Sequence, residues 1–550
     1  RNGAARFVLN AASDGSITFD HNGLGARLTQ RAGNSLDTIY TPLYLADDLT
    51  LSNSTTLTIG SVISELGGPR SLTKYGSGQL TLGSSNTFSG GLNIRAGAVA
   101  VGTATKLGQG AVRLGDTTGT NSASIIGSRT VTNPIIVEAG STGAKTLRCS
   151  GSSTIRFSGP LTLEGDLTAS SFNTGGSTTL SGPISGPGVI TVTAQNPTNV
   201  VVLGGTNSFS GGVTVSSGTL LLGNDAAAGG GPVEVSNGTT MASGNNGAIT
   251  LSNAVTLSGN ITLGQAIGGT GALTLAGPIQ LGGATRTVSV SNALATLSGS
   301  VSGSAGLIKS GVGTLVLNGT NSYAGGTTVG QGRLIVNGRT SNGAVTVGSG
   351  GTLGGNGSIG GIVTVASGGT FSPGNDDIAS LAITNKLILQ TGSTALIQIN
   401  KSAGTSDRVT GIGTLSYGGT LVVTNTGGEF AGGEVYQLFD FGLFNGKFSA
   451  TNLPALNAGL TWVWQPSTGT LRVDGGIAQA PTNIVFRLTD DVVELSWPAS
   501  HLGWYVQSNS VNLSDPDSWF DVEGSQGATN LNLRTEAGLE KVFYRLRRPW

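Results

Sequence analysis

Two histidines, His21 and His501, and one cysteine, Cys149, are the side chains of this chain best suited to acid–base or nucleophilic work near neutral pH. A Ser-His-Asp or Cys-His site needs its base within hydrogen-bond reach of the nucleophile. The two histidines fall in different predicted domains, and Cys149 has no partner near it in sequence, so it reads as a buried structural thiol. His/Cys metal sites are excluded by count. Carboxylate pairs at Asp376-Asp377 and Asp490-Asp491 could contribute to a calcium site, but neither has the spacing of a known calcium loop, and both read as solvated turns. GNGSIG at 355–360 fits a nucleotide-loop pattern, which chance alone produces in so glycine-rich a chain and which needs a following helix. No catalytic, cofactor-binding or metal-ligating residue is assigned, and no enzymatic activity is expected.

The elements that would have to position such residues are unusual in composition. Glycine supplies 93 of 550 residues, about 17% against a typical ~7%, and charged residues 10% against ~25%. Glycine shows no three-residue period, which excludes collagen. The apolar content is too high for a charged disordered chain. Lys+Arg and Asp+Glu are 28 each, so there is no basic footprint for nucleic acid. Arg545, Arg547 and Arg548 read as a solvated strand end. Zero net charge favours association. No apolar run approaches the length of a transmembrane helix, so no membrane insertion is expected. The lone cysteine suits the cytosol or a thiol-poor bacterial surface protein, and a start at Arg1 without methionine reads as a processed, exported product.

Repeats organise the chain. TVGQGRL, VTVGSGGTL and VTVASGGTF place Val329, Val347 and Val365 at intervals of 18. Alternation such as Val345-Thr346-Val347 has the two-residue period of a strand with one buried face. No segment carries a helical stripe. Short strands between glycine corners at this period define a β-solenoid coil, whose apolar face is buried only by its neighbours, about 4.8 Å away. With an 18-residue coil, residues 20–400 would hold about twenty coils. A longer period of about 117 residues lies over it: NTFSGG at 86–91 recurs as NSFSGG at 207–212 and NSYAGG at 321–326. LTKYGSGQLTL from Leu72 likewise matches LIKSGVGTLVL from Leu307.

The recurring corner residues are Asn86, Phe88, Gly90 and Gly91; Asn207, Phe209, Gly211 and Gly212; and Asn321, Tyr323, Gly325 and Gly326. Asn tolerates left-handed geometry and bonds nearby backbone, glycine permits positive φ, and the aromatic packs at the corner. A thrice-repeated ligand site is the functional alternative.

The pattern G-x-G-x-L-x-L-x(3)-N-[ST]-[FY]-[SA]-G-G, complete at 76–91 and 311–326, resembles the autotransporter-associated β-strand repeat. The middle copy lacks the leading glycine pair. The resemblance spans about residues 50–475 and implies a right-handed parallel β-helix of a bacterial secreted or surface protein. It implies no activity. No membrane barrel follows in the residues given, so self-translocation is not expected.

The expected class is therefore all-β, a right-handed parallel β-helix followed by a small antiparallel β-sandwich. Residues 1–50 are expected to form an N-terminal strand or cap region and 51–400 a solenoid of three blocks. Residues 401–475, with Phe430, Phe439, Phe441, Phe444 and Phe448, form an aromatic-rich end of the solenoid. DGGIAQAPTN at 474–483 reads as a linker, and 476–550 resembles a fibronectin type III-like module. The expected function is a structural extracellular subunit that assembles head to tail with itself into a surface fibre. The alternatives are a monomeric adhesin or stalk binding a glycan or host surface, and a polysaccharide-degrading β-helix enzyme. The last needs carboxylates lined up at coil spacing, and none are evident.

Overall fold

The computed structural model describes residues 8–10, 15–31, 36–102, 107–172, 174–196, 198–264, 271–291, 294–475, 482–534 and 541–548. Among them the chain is all-β, with 3₁₀ turns at Ala499–His501, Pro516–Ser518 and Ser525–Gly527 and no α-helix. It divides into two compact units, residues 1–353 with 357–362, and 354–356 with 363–550.

The first unit is a parallel β-solenoid. Fourteen strands, from Val8–Leu9 to Val301–Ser302, stack into one sheet. Leu80 pairs with Val99, Val99 with Ile125, Ile125 with Leu147 and Leu147 with Ala169, all in parallel. These inward residues are buried while Thr81, Ala98, Ser124 and Thr146 between them face out, the alternation a pleated strand imposes. An eight-stranded sheet from Ala26–Gln30 to Ile184–Ser185 makes a second face, and a third grows from Thr130–Val131 onward.

Two expectations change. Val329 does pair with Val347, 18 positions on, but Leu147 pairs with Ala169 and Ala169 with Val192, at 22 and 23. Extra corner residues such as Gly159-Pro160 and Gly182-Pro183 lengthen these coils, and the chain makes about 17 turns in place of about twenty. Parallel pairing also begins early, with Val8–Leu9 on Asp37–Ile39 and Ile17–Phe19 on Leu43–Leu45. Described residues before 50 are thus already in solenoid coils, since the same alternation buries Leu43, Leu45 and Leu49.

In the second unit, parallel stacking joins Thr394–Asn400 to Thr420–Asn425 and Arg408–Tyr417 to Phe439–Gly446. The buried Tyr417 ring lies 5.0–6.1 Å from Phe439, Phe441, Phe444, Phe448 and Trp464. Antiparallel strands Val435–Gln437, Thr470–Gly475 and Leu460–Gln465 adjoin this cluster in sequence. Beyond it, two three-stranded antiparallel sheets form a small sandwich around Val493, Leu495, Trp497 and Val506. Most of the expected linker, residues 476–481, lies outside the described residues.

Candidate functional site

The three corners repeat one hydrogen-bonding device. Asn86 Oδ1 accepts from Ile63 N–H at 2.9 Å, Asn207 Oδ1 from Ile184 N–H at 2.9 Å, and Asn321 Oδ1 from Val301 N–H at 3.0 Å. Each asparagine is buried, and each partner lies 20–23 positions earlier, on the preceding coil. The next backbone N–H closes the clamp: Thr87 donates to Ile63 O, Ser208 to Ile184 O and Ser322 to Val301 O, at 2.8–2.9 Å. The amide then reaches onward, with Asn207 Nδ2 donating to Ala227 O at 2.6 Å and Asn321 Nδ2 to Arg339 O at 3.1 Å. One buried side chain thereby joins three successive coils.

Three residues after each asparagine, the first repeat uses a side chain where the others use backbone. Ser210 N–H and Ala324 N–H donate to the carbonyls of Gly186 and Gly303. Ser89 N–H instead donates to Glu65 Oε2 at 2.8 Å and its hydroxyl to Oε1 at 2.7 Å, with Arg70 N–H also on Oε2. Burial pushes the Glu65 carboxyl up, but the Ser89 and Arg70 bonds outweigh it and hold it below its ordinary value.

Phe88, Phe209 and Tyr323 are fully buried, so no aromatic is presented to a ligand at these corners. A Cβ on Gly108 would sit 2.8 Å from the Phe88 ring, and one on Gly229 2.9 Å from the Phe209 ring. Tyr323 differs by its hydroxyl, which hydrogen-bonds Thr327 Oγ1 at 2.6 Å.

The glycine pairs divide their work. Gly91 and Gly212 have φ of +96° and +92°, as the corner geometry asks. The first glycine of each pair serves close approach between coils: a Cβ on Gly90 would lie 2.4 Å from Arg70 C, on Gly211 2.4 Å from Gly188 O, and on Gly325 2.3 Å from Gly306 N. Gly326 lacks positive φ, and its Cβ would meet Ala344 O at 2.9 Å.

Residue spacing alone did not single out two buried lysines. Lys74 Nζ donates to the carbonyls of Tyr75, Gly76 and Ala96 at 2.9, 2.7 and 3.0 Å. Lys309 Nζ donates to Ser310, Gly311 and Gln331 at 2.8, 2.7 and 3.0 Å. Both side chains are fully enclosed, and burial pushes each amine down to about 8. The three carbonyls use all three ammonium protons. Leu72 pairs with Leu92, Ile190 with Val213 and Leu307 with Thr327, so the middle repeat has Val192 at the lysine position. The signal was an inward-facing Lys at the third position of both LTKYGSG and LIKSGVG. Asn133 and Asn253 do similar work without any Gly-Gly following: Asn133 Nδ2 donates to Gly108 O and Gly110 O at 3.0 and 2.9 Å, and Asn253 Nδ2 to Gly229 O and Gly231 O at 3.0 and 2.6 Å.

The reactive side chains are held in structural roles. Cys149 is buried with Sγ 3.5 Å from Ser171 Oγ. His21 Nδ1 lies 3.0 Å from Gly25 O, and His501 packs on Trp504 at 5.0 Å. Asp376 and Asp490 are exposed turn residues with φ of +71° and +54°. Among the described residues no group of three or more His, Cys, Asp or Glu is placed to hold a metal, and no helix is long and apolar enough to cross a membrane.

The passenger-associated-transport-repeat family matches residues 72–101, 198–222 and 307–336, the segments that hold the three corners and both lysines. No curated protein matches the chain. Among solved structures it is similar to the Hap adhesin of Haemophilus influenzae, at 13% identity and a TM-score of 0.28, over 82% of this chain and 64% of that one. That score is too low to carry an argument, and the chain spans less than two thirds of the Hap chain. The solenoid assignment rests on strand register and the corners on their own hydrogen bonds; the chain is a parallel β-solenoid that carries the passenger-associated-transport repeat three times.

Proposed function

We propose that the chain is a structural solenoid of the bacterial surface with an adhesive role. The carrying observation is the corner clamp: the repeated buried polar side chains hold coil to coil, the arrangement of a scaffold rather than of a reaction centre. The repeats are those of autotransporter passengers, which supports export to the surface. The chain is to be displayed on a non-adherent bacterium and scored for adherence to host cells and abiotic surfaces, beside cells displaying a chain without residues 482–548. Adherence above the empty display host is expected. Display at full level without adherence overturns the adhesive role, and release of reducing ends or unsaturated products from a polysaccharide panel would mark an enzyme instead.

Head-to-tail self-association into a fibre is the finer form of the proposal. Zero net charge and the exposed strand Ala450–Asn452, which ends its sheet, support it. Light scattering across concentration tests it: growth in mass with a regular repeat by electron microscopy is expected, and a constant monomer mass overturns it.

A further inference from the structure

The outward face of the fourteen-stranded sheet carries a shallow groove of about 490 Å³ that crosses successive coils. Its floor is a column of small side chains in strict register, Ala98 on Ser124, Ser124 on Thr146 and Thr146 on Thr168. A second column runs beside it, Arg148 on Ser170 and Ser170 on Thr193, with Ser170 Oγ and Thr193 Oγ1 2.8 Å apart. Arg148 is the single charged side chain of the lining. Its guanidinium lies 5.2 Å from the Phe172 ring centroid, and among the described residues no carboxylate pairs with it. Ser170 is buried, so the groove offers the hydroxyls of Ser124, Thr146 and Thr168 at the coil spacing of about 4.8 Å, an aromatic ring, and an unneutralised planar cation.

We infer that this groove binds a linear acidic polysaccharide along the solenoid axis. The inference deepens the adhesive reading and rests on it. A peptide strand has nothing to pair with here, because the backbone N–H and C=O groups of these strands are consumed in the parallel ladders on either side. A nucleic acid would need many cations, and the lining has one. An extended glycan chain is dense in hydroxyls, repeats at a length close to the coil spacing, and needs no deep pocket. A uronate carboxylate on such a chain takes the Arg148 fork in a bidentate pair, while the Phe172 ring covers an apolar sugar face.

The test uses the full chain, with calorimetry and affinity electrophoresis on size-defined oligogalacturonates and hyaluronan fragments beside neutral cello-oligosaccharides. Expected are binding of an acidic series that weakens with salt, and at least tenfold weaker binding of the neutral one. Arg148→Ala should lower affinity at least tenfold. Thr168→Tyr, a strand-compatible residue, should do the same by filling the floor. Thr256→Tyr, on an exposed position of the same sheet outside the groove, should change nothing. Circular dichroism identical to the parent shows that the variants fold, and Phe172→Leu provides a second, milder probe of the wall. No binding of any acidic oligosaccharide, or binding by Arg148→Ala and Thr168→Tyr as tight as that of the parent, overturns the inference. Displayed cells that still adhere in either case leave the surface role standing and remove this groove alone.

Discussion

The ammonium of Lys74 donates to the carbonyl of Ala96, 22 positions further along the chain, at 3.0 Å. It thereby pulls its own coil toward the next, while Asn86 reaches back to Ile63. Lys309 and Gln331 repeat the relationship in the third copy at the same distance. A cation enclosed without an anion is costly to bury, so the lysines give the solenoid an unusual response to alkali.

Each lysine has a folded-state value of about 8, below its ordinary value of ~10.4. Between those limits the unfolded chain binds more protons, so stability rises with pH across that window and is lost as pH falls through about 8. Denaturation midpoints should therefore climb from pH 8 toward 10 in the parent. In the Lys74→Met/Lys309→Met variant the slope should be reduced, and an unchanged slope would show that other groups set it.

Removing one clamp leaves a buried N–H unpaired, at a cost of about 1–3 kcal/mol. Asn207→Ala should accelerate hydrogen exchange at the Ile184 amide and its coil neighbours, with little change near Ile63 or Val301, since coupling is between adjacent coils. Asn207→Asp keeps the acceptor and loses the donor to Ala227. It should protect Ile184 better than the alanine does.

The glycine pairs should separate by mechanism. Gly90→Ala and Gly325→Ala drive a methyl into neighbouring backbone, and each should cost about 1–3 kcal/mol and open the corner to protease. Gly91→Ala should cost about 1 kcal/mol or more through its φ of +96°. Gly326→Ala, with ordinary φ and a 2.9 Å approach, should be milder than Gly325→Ala. Midpoints of unfolding and limited proteolysis give the order.

Tyr323 and Thr327 form an internal exchange experiment. The corresponding pairs are Phe88 with Leu92 and Phe209 with Val213, buried and without hydroxyls. Tyr323→Phe or Thr327→Val alone should cost about 1 kcal/mol by orphaning one hydroxyl. The double variant should recover most of that loss, giving a coupling of about 0.5–1.5 kcal/mol in a double-mutant cycle. Additive losses would mean the hydroxyl pair is not a unit.

Much of this architecture was legible in the residues because a solenoid writes its period directly. The valines of 327–371 gave the stacking, and the NSFSGG corners gave the blocks. Coil length is not legible from the valines, because the 18-residue spacing belongs to one short stretch, while coils such as that from Leu147 to Ala169 carry extra corner residues. The recurrence of the corner asparagines was legible, but none of the three adopts the left-handed geometry expected of a turn former. Their grip on the preceding coil was not legible, because it joins residues 20–23 apart that share no local pattern. Lys74 and Lys309 stayed hidden because a charged side chain in a glycine-rich stretch reads as a surface residue until its strand phase is known.

A stack of nearly interchangeable coils has one characteristic error: a whole turn can be skipped or doubled, and every side chain still faces the correct way. Asn86, Asn207 and Asn321 work against that error as bookmarks. A slip within a block would leave the marked asparagine opposite the wrong amide and strand a polar group in the interior.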